Sequence, residues 1–446
     1  MLKMMKKYEA QKRGRLVRRP RTFPRLKVHL HGGDGEIGGN CVELRSGRDV
    51  LVLDIGRPLN VERNEFVPLP KIKGLKSGHN RRLHGIVISH GHQDHWGLMP
   101  QVHQDVARYI GQATANILRA ANYWGTGIDL QETGHLEHQV PLSLGPFTVT
   151  PMLADHSAFD AYSLLIECRG ERVFYTGDIR AHGRKGELFE ALVADPPQDV
   201  DYLICEGTHI GEREGSSAQS RPTHPDDDVI GCGSQESESA VEDHLVSLFN
   251  KSRDLIVVLC SPQNIDRVVS TYRACLRTDR DLVVDYYGAD VLSATGRATI
   301  PAPGRQWSRI RTYLTTRQRR RIVTTSSFDK ISAHVKHRVF PEDLCRNDRP
   351  LVLVGSFQSE LPNLLRTAGV TISTVVWSMW EGYLAEPSGQ KLRHLLSEHD
   401  IALVQSHTSG HATPLDLERL IRAMNPTHLI PIHTEHPEQL KELAKK

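Results

Sequence analysis

The sequence predicts an α/β fold in which a layered, sheet-rich unit is interrupted by a second unit with a parallel sheet. Three observations predict it. Short apolar segments that end in Gly, Asp or His recur from residue 26 to about 210, and this pattern predicts strands followed by loops. Strands then alternate with helical segments, which is typical of βαβ units. The last segments are again strands followed by histidines, so we expect the chain to end in the first unit.

The first unit begins with the strands KVHLHGG, VLVLDIG and HGIVISHGH, each followed by a polar loop. Residues 101–122 carry a helical pattern. Four more strands follow in PFTVTPMLADHS, YSLLIEC, ERVFYTGD and DYLICEG. We therefore expect a layered α/β domain over residues 26–210.

The second unit follows a polar, turn-rich stretch at residues 211–238, which predicts an exposed connection. Beyond it, ESAVEDHLVSLFNKS and NIDRVVSTYRACLRT are helical, and DLIVVLCSP and DLVVDYY are strands. This alternation predicts an inserted parallel-sheet domain over residues 211–400. Residues 401–446 are expected to return to the first domain.

The composition excludes several classes of protein. An apolar fraction of 39% is enough for a core, so the chain is not a disordered protein. No apolar run approaches a membrane span, and no apolar segment follows the basic N-terminus as in a secretory signal. Seven cysteines without a CxxC pair argue against a disulfide framework. We therefore expect a cytoplasmic protein with no membrane partner.

Two stretches are strongly basic. Residues 1–25 form a basic tail with one acidic residue, Glu9. This segment is either a solvated tail or an arm that binds nucleic acid. A transit peptide is a third alternative, which the low Ser content disfavours. The stretch 305–321 is either an exposed charged helix or a surface for phosphates and bases. Its residues are Arg305, Trp307, Arg309, Arg311, Tyr313, Arg317, Arg319, Arg320 and Arg321.

The strongest chemical signal is the motif HGHQDH, directly after the strand GIVIS. It places His90, His92, Asp94 and His95 on one loop at a strand end, and imidazole and carboxylate are good zinc ligands. A histidine-rich loop without metal is the alternative, but four ligand-type side chains within six positions rarely occur by chance. The motif therefore predicts a metal site.

Three further residues at strand ends are candidates for the same site. His156 in MLADHSAF and Asp178 in FYTGDIR could each be a cap or turn residue, but together with the motif they complete a set for two ions. Asp178 could bridge the ions through its two oxygens. Asp54, at the end of LVLD, is either a turn residue or a group that orients a metal-binding histidine.

Two metal ions about 3.5–4 Å apart stabilise the attacking and leaving oxygens of an in-line displacement. Such a site suits the hydrolysis of phosphodiesters. It also suits lactones, thioesters and β-lactams, so the ligands alone do not fix the substrate.

The order of HxHxDH, then His, then Asp resembles the metallo-β-lactamase superfamily, whose fold is an αββα sandwich. The resemblance implies a hydrolase with two zinc ions, with manganese as the alternative. It implies one ion held by His90, His92 and His156, another held by Asp94 and His95, and Asp178 bridging them.

Motifs in the second half resemble the β-CASP nucleases of that superfamily. HTSGHA (His407 to Ala412) and PIHTE (Pro431 to Glu435) resemble two of their motifs, Glu206 in ICEGTH resembles their acidic motif, and SPQNIDRVV resembles the start of a helix in their inserted domain. GGDGEIGGN is similar to the first strand and turn of RNase J proteins. The resemblance covers residues 30 to 446.

This resemblance implies roles for further residues. His433 would complete the second metal site, His411 would face the scissile phosphate, and His407 and Ser409 would help to hold it. Asp54 and Glu206 would support the ligands, and Asp94, Asp178 and His411 would be the catalytic residues. A histidine at position 433 is typical of RNA-processing members, whereas DNA-repair members usually lack it.

We therefore expect a zinc-dependent ribonuclease that cuts RNA internally, from the 5′ end, or in both ways. A DNA nuclease, a small-ester hydrolase and a catalytically silent RNA-binding protein are the alternatives. His433 weighs against the DNA nuclease, and the inserted domain with its basic stretches weighs against the small-ester hydrolase. The complete ligand set weighs against the catalytically silent protein. RNase J proteins carry a further C-terminal domain, which we expect to be absent because the chain ends soon after PIHTEHPEQL. Nothing in the sequence decides for or against a homo-oligomer.

Overall fold

The structure is a computed structural model and describes residues 25–62, 65–211, 236–304, 306–345 and 348–445. The predictions for the basic tail up to residue 24, for most of the connection at 211–238 and for Arg305 lie outside the described residues. The described residues form three sheets, and helices cover the faces of these sheets. Within these ranges, no helix is long and apolar enough to cross a membrane.

The first sheet has six strands, antiparallel from β1 to β3 and parallel from β3 to β6. These strands are β1 (Leu26–Gly32), β2 (Cys41–Ser46), β3 (Asp49–Leu53), β4 (Leu83–Val87), β5 (Arg108–Gly111) and β6 (Gly134–Leu136). Helices α1 (Gln93–Trp96) and α2 (Gln112–Tyr123) follow β4 and β5. The apolar residues of β3 are buried because both faces of this sheet are covered.

The helix predicted over residues 101–122 is wrong in its first half. Strand β5 lies within it, paired with β4 and β6, and only Gln112–Tyr123 is helical. The Arg108 guanidinium donates to the carbonyls of Val102, His103 and Gln104, which holds the preceding segment as a loop. Sheet pairing and these contacts, which join distant residues, override the local helical pattern.

The second sheet is antiparallel from β7 to β10, and β11 joins it in parallel. Its strands are β7 (Leu142–Leu144), β8 (Phe147–Leu153), β9 (Tyr162–Cys168), β10 (Glu171–Tyr175) and β11 (Tyr202–Glu206). Helix α3 (Gly186–Ala194) connects the last two. The four strands predicted here are therefore found, and β7 is an addition that forms a hairpin with β8.

The third sheet has seven strands, and every neighbouring pair is parallel. In chain order these are β12 (Leu255–Leu259), β13 (Asp281–Asp285), β14 (Ile310–Tyr313), β15 (Arg338–Val339), β16 (Leu351–Gly355), β17 (Ile372–Trp377) and β18 (Ala402–Gln405). The helices are α4 (Glu238–Phe249), α5 (Ile265–Arg277), α6 (Tyr286–Ala294), α7 (Thr316–Thr325), α8 (Asp329–His334), α9 (Leu361–Leu365) and α10 (Pro387–Glu398). Apolar clusters bury both faces, so the predicted parallel sheet is confirmed.

The return to the first unit begins later than residue 401. Strand β18 resembles the strands of the first unit in sequence because a histidine follows it, but it pairs with β17 at the edge of the third sheet. After helix α11 (Pro414–Met424), strand β19 (His428–Ile432) pairs with β11 in the second sheet, and helix α12 (Pro437–Leu443) follows. The domain boundaries otherwise stay predictions.

The first two sheets pack face to face. Their shared core contains Val42 and Leu44 from one sheet and Leu164 and Ile166 from the other. Helices α1 and α2 pack on the outer face of the first sheet, and α3, α11 and α12 pack on that of the second. The predicted αββα sandwich is therefore confirmed, and its strand ends position the site described next.

Candidate metal centre

The predicted metal ligands meet because the strands that carry them end at one edge of the sandwich. They follow β4, β8, β10 and β19, or lie in α1: His90, His92, Asp94, His95, His156, Asp178 and His433. All but His92 are buried. The sandwich therefore gathers side chains that lie up to 343 positions apart in the sequence, from His90 to His433.

These seven side chains form two groups of ligand atoms that share Asp178. The first group is His90, His92, His156 and Asp178, and the second is Asp94, His95, Asp178 and His433. Within each group the ligand atoms lie within 4.8 Å of one another. Two groups with one common carboxylate are the arrangement expected for two neighbouring ions.

Asp178 lies at the centre. Its Oδ2 is 3.2 Å from His95 Nε2, 3.5 Å from His90 Nε2 and 3.9 Å from His156 Nε2. His433 Nε2 is 3.8 Å from the same oxygen and 3.0 Å from Asp94 Oδ2. One carboxylate therefore lies beside ligands of both groups.

Several of these buried atoms have no hydrogen-bond partner among the described residues. They are Nε2 of His90, Nε2 of His95 and both side-chain oxygens of Asp178. An unpaired buried carboxylate is costly, since nothing replaces the hydration that it loses. Nitrogen and oxygen atoms that converge without partners fit metal ions of the zinc type.

Asp54 contacts one of the predicted ligands, His95, on the side away from Asp178. It is fully buried, and its Oδ2 accepts hydrogen bonds from His95 Nδ1 at 2.7 Å, Tyr175 OH at 2.7 Å and Ser89 Oγ at 2.8 Å. Because Nδ1 of His95 donates to Asp54, its Nε2 is left to face Asp178. This is the carboxylate–histidine contact that commonly supports a metal ligand.

The backbone is unusual at two of these strand ends. Asp54 follows β3 with φ 56°, and His433 follows β19 with φ 55°. Both lie in the left-handed region, which non-glycine residues seldom adopt and which concentrates at functional sites. In each case the turn directs the side chain away from the strand and into the site.

Charge is divided unevenly over the ligands. Burial and the neighbouring His95 lower the pKa of His90, and burial and His92 lower that of His156, so both imidazoles are neutral. Burial opposes the charged form of His95, but Asp178 and Asp94 raise its pKa above the usual value. Burial also disfavours the Asp94 carboxylate, yet His95 and His433 hold its pKa at about 2.

His411 and Glu206 form a pair beside the ligands. His411 Nδ1 lies 3.2 Å from both carboxylate oxygens of Glu206 and 3.0 Å from Thr208 Oγ1, which also lies 3.0 Å from His433 Nδ1. Burial disfavours the imidazolium, but Glu206 and Asp178 raise the pKa of His411 to about 9. His411 is therefore a cation at neutral pH.

Glu206, His411 and His433 form a third group of possible ligand atoms. Glu206, however, already accepts hydrogen bonds from the amides of Ile179 and Thr208 and from the Thr208 hydroxyl. Its oxygens are occupied, in contrast to those of Asp178. Glu206 is thus better suited to hold His411 than to bind an ion.

Two fully buried arginines hold the segment 406–411. Arg180 donates to the carbonyl of Ser409 at 2.8 Å and lies 2.5 Å from Asp266 Oδ2. Arg267 donates to the Ser378 hydroxyl at 2.5 Å and to Glu238 at 2.9 Å, and reaches the carbonyls of residues 406 and 408. Sequence analysis missed both residues.

Gly410 lets this segment approach the first group of ligands. Its carbonyl accepts a hydrogen bond from His156 Nδ1 at 2.5 Å. A Cβ at this position would lie 2.6 Å from Ser157 Oγ and 3.2 Å from His156 Cε1. The close approach explains why a glycine precedes His411 in the SGHA motif.

The two other predicted phosphate contacts are placed differently. The Ser409 hydroxyl lies beside the site, where it accepts from the His411 amide at 3.1 Å and lies 2.7 Å from His209 Nε2. His407 is in none of the three groups, and its Nδ1 lies 3.2 Å from Arg267 Nη1. Burial and Arg267 lower its pKa to about 3, so His407 is uncharged.

A cleft of about 950 Å³ opens beside the site. It extends from His92 and Gln93 to the C-terminal ends of strands in the third sheet, such as Ser261 after β12 and Ser356 after β16. Arg317 also lines it. The site is therefore accessible from a groove between the sandwich and the third sheet.

The described part of the Arg-rich stretch, residues 306–321, does not form one surface. Tyr313 is buried in the core, where apolar packing claims its ring, so the proposed base stacking on Tyr313 is wrong. Trp307 packs edge-on against Tyr272, and Arg309 is paired with Asp279 and Asp281. Among residues 306–321, the exposed arginines are Arg317, Arg319, Arg320 and Arg321, all on α7.

An αββα sandwich with His and Asp ligands on the loops at one edge defines the metallo-β-lactamase fold. Residues 66–230 match the family described as the beta-lactamase superfamily domain. Residues 402–446 match the Zn-dependent metallo-hydrolase RNA specificity domain. These two matches support the fold class, and the second also supports metal binding.

The relatives make the likeness more specific. Ribonuclease J of Corynebacterium glutamicum is 22% identical over 94% of this chain and 55% of its own length. Ribonuclease J of Helicobacter pylori is 23% identical over 58% of this chain and 36% of its own length. The predicted likeness to RNase J-like β-CASP proteins is confirmed, although the matches span only about a third to about half of these relatives.

A solved structure shares the fold over nearly the whole chain. A protein of unknown function from Enterococcus faecalis superposes with a TM-score of 0.73 at 21% identity. The match covers 93% of this chain and 95% of that one. The combination of sandwich and parallel-sheet unit is therefore an established fold.

Proposed function

We propose that the chain is a zinc-dependent ribonuclease that hydrolyses RNA phosphodiester bonds internally, from the 5′ end, or in both ways. The observation that carries the proposal is the pair of ligand groups around Asp178, whose buried oxygens have no hydrogen-bond partner among the described residues. The Ribonuclease J relatives and the RNA-specificity family match support RNA as the substrate.

In this proposal each group of ligands holds one ion, which we expect to be zinc, with manganese as the alternative. His90, His92 and His156 would hold the first, Asp94, His95 and His433 would hold the second, and Asp178 belongs to both groups of ligand atoms. When bound, two such ions activate water and neutralise charge on a phosphoryl group.

The chain's own residues complete the chemistry. Glu206 holds Nδ1 of the His411 cation, which leaves Nε2 to donate to a phosphoryl or leaving-group oxygen. A donor placed where charge develops stabilises the transition state more than the ground state. Ser409, which positions the His411 amide, is the second proposed phosphate contact. His407 stays a prediction for this role.

RNA also fits the shape and charge of the surroundings. Residues of both the sandwich and the third sheet line the cleft beside the site, and Arg317 is one of them. A small ester would use only a fraction of such a cleft. We keep a cytoplasmic location and an undecided oligomeric state as predictions.

Purified protein and end-labelled substrates test the proposal. RNA and DNA of one sequence, each with a 5′-monophosphate, 5′-triphosphate or 5′-hydroxyl, are incubated with the chain, and the product ladders are compared. We expect cleavage of RNA in preference to DNA, and none by an Asp178→Asn control. The ladder distinguishes internal from 5′-end cleavage. Cleavage of DNA alone, or of neither substrate, would contradict the proposed function.

A further inference from the structure

Helix α7 carries four exposed arginines that pair with no acidic side chain among the described residues. Arg317, Arg319, Arg320 and Arg321 are exposed, and none forms an ion pair within the part of the chain that is described. From position 315 to 328 the sequence has no Asp or Glu. This helix therefore presents positive charge that the described structure does not neutralise. We call these four residues the α7 arginines.

Arginines on other helices of the chain are neutralised. Arg419 on α11 pairs with Glu190 and Asp416, and Arg422 pairs with Glu418. Arg277 on α5 pairs with Glu242 and Asp243. These arginines have carboxylates within reach on their own helix or on a neighbouring one, whereas the arginines of α7 have neither among the described residues.

One of the α7 arginines lines the cleft, and two more line a cavity beside it. Arg317 lines both the cleft and a second cavity of about 260 Å³, which Arg320, Arg321 and Trp124 also line. Helix α7 follows β14, whose C-terminal end lies at the same edge of the third sheet as the strand ends that line the cleft. Positive charge therefore continues from the cleft onto the outer surface of α7.

Contacts with α2 fix this surface in place. The Arg321 guanidinium lies 5.3 Å from the Tyr123 ring, and the Tyr123 hydroxyl lies 3.1 Å from Thr325 Oγ1. Tyr123 ends α2, and Thr126, three residues further on, lines the cleft. The distance between the α7 arginines and the cleft is thus set by packing and not by flexible side chains alone.

We infer that the α7 arginines bind the phosphates of the single-stranded RNA segment that leaves the cleft. The inference rests on the proposed function, which places a cleavable RNA in the cleft. The planar guanidinium matches phosphate in geometry and charge, and it contacts any sequence alike. A row of arginines at the mouth of a nuclease cleft extends the binding site beyond the nucleotides at the metal ions.

The test is a triple variant, Arg319→Gln, Arg320→Gln and Arg321→Gln, which leaves Arg317 in the cleft. Glutamine keeps the helix propensity and removes the charge. A matched control removes three exposed charges at the opposite ends of the strands: Arg48→Gln in the β2–β3 turn, and Lys251→Gln and Arg253→Gln before β12. Thermal unfolding of both variants checks that they are folded.

Binding is measured by fluorescence anisotropy over a range of salt concentrations. The probe is a single-stranded RNA of about 20 nucleotides, longer than the ~4–16 nucleotides that one single-strand binding module covers. We expect the triple variant to bind about tenfold more weakly than the control. Its salt dependence should flatten by about 0.7 for each phosphate that is no longer neutralised, or about 2 in all.

The double variant Arg319→Gln and Arg320→Gln keeps Arg321 on Tyr123 and repeats the test without disturbing the packing of α7 on α2. Equal affinity and equal salt dependence in the triple variant and the control would overturn the inference. If the unaltered chain cleaves RNA in that case, the proposed function still stands. If the unaltered chain neither binds nor cleaves RNA, both fail.

Discussion

Two buried clusters of charged side chains lie next to each other in this molecule, and they are built differently. Around the 406–411 segment, each carboxylate has a guanidinium partner: Glu238 pairs with Arg267, and Asp266 pairs with Arg180. In the metal centre, Asp178 has only neighbouring imidazoles, and its oxygens accept no hydrogen bond from a described residue. In the first cluster the carboxylates are therefore neutralised by guanidinium groups, whereas the Asp178 carboxylate has no such partner among the described residues.

Buried charged side chains therefore have two different roles in this molecule. A closed network positions a segment of the chain, in this case the one that carries His411. An open network of imidazoles and carboxylates is a candidate set of metal ligands. These two roles are distinguished by removing one member of each cluster and measuring metal content, stability and cleavage rate on the same preparations.

Asp178→Ala should have the largest effect. Because Asp178 contributes to both groups of ligands, its removal should lower the metal content and reduce RNA cleavage by more than the ~10³-fold that removal of a single transition-state donor costs. Elemental analysis and single-turnover cleavage measure the two effects. A variant that keeps both its metal and its activity would show that Asp178 is not the shared ligand.

Arg267→Ala should act on folding instead. Removing Arg267 takes the nearest guanidinium from the buried Glu238, which keeps only Arg180 at 3.6 Å and the Ser270 hydroxyl at 2.8 Å, and breaking such a buried pair costs about 3–5 kcal/mol of unfolding free energy. Arg277→Ala on the same helix is the control, because Arg277 is itself exposed and its buried partner Glu242 keeps Arg184, and it should cost less than about 1 kcal/mol. Denaturant titration compares them, and equal destabilisation would refute the distinction.

His411→Ala should lower the rate without removing metal. Since His411 is held by Glu206 and is proposed to contact the phosphate, its removal should cost ~10²–10³ in single-turnover rate, or roughly 2.7–4 kcal/mol. Substrate affinity should change less than the rate. If the variant loses metal as Asp178→Ala does, His411 is a ligand.

Asp54→Asn should have a smaller effect, on metal affinity alone. Removal of the carboxylate that orients His95 typically weakens metal binding by ~10–100-fold. Asp49→Asn is the matched control, because Asp49 lies at the other end of β3 and also contacts a histidine, His84, far from the ligands. Competition with a coloured chelator measures both variants. Equal affinities would reduce Asp54 to a turn residue.

Sequence analysis predicted the parts of the site that are local in the chain. The HGHQDH motif and the strand ends at His156 and Asp178 are visible as patterns, because strands that end in a layered fold direct loops to a common edge. Arg180 and Arg267 left no such signal. An arginine in a helix or after a strand looks like any solvated residue until the fold brings its partners together.

The Arg-rich stretch and the first helix show the same limit. From the composition we expected Tyr313 and the arginines on one surface, but Tyr313 is buried in β14 and the arginines of α7 are exposed. Which side chains are buried depends on the face of each element that packs against the core. Strand β5 was missed because its pairing with β4 and β6 is invisible in a local pattern.

The metal content of the unaltered chain tests the central claim most directly. Protein reconstituted with zinc, freed of unbound ions by gel filtration and analysed by mass spectrometry should hold about two ions per chain. Treatment with a strong chelator should abolish RNA cleavage, and added zinc should restore it. A chain that binds no ion and cleaves RNA at the same rate in the chelator would contradict the assignment of the ligand groups around Asp178.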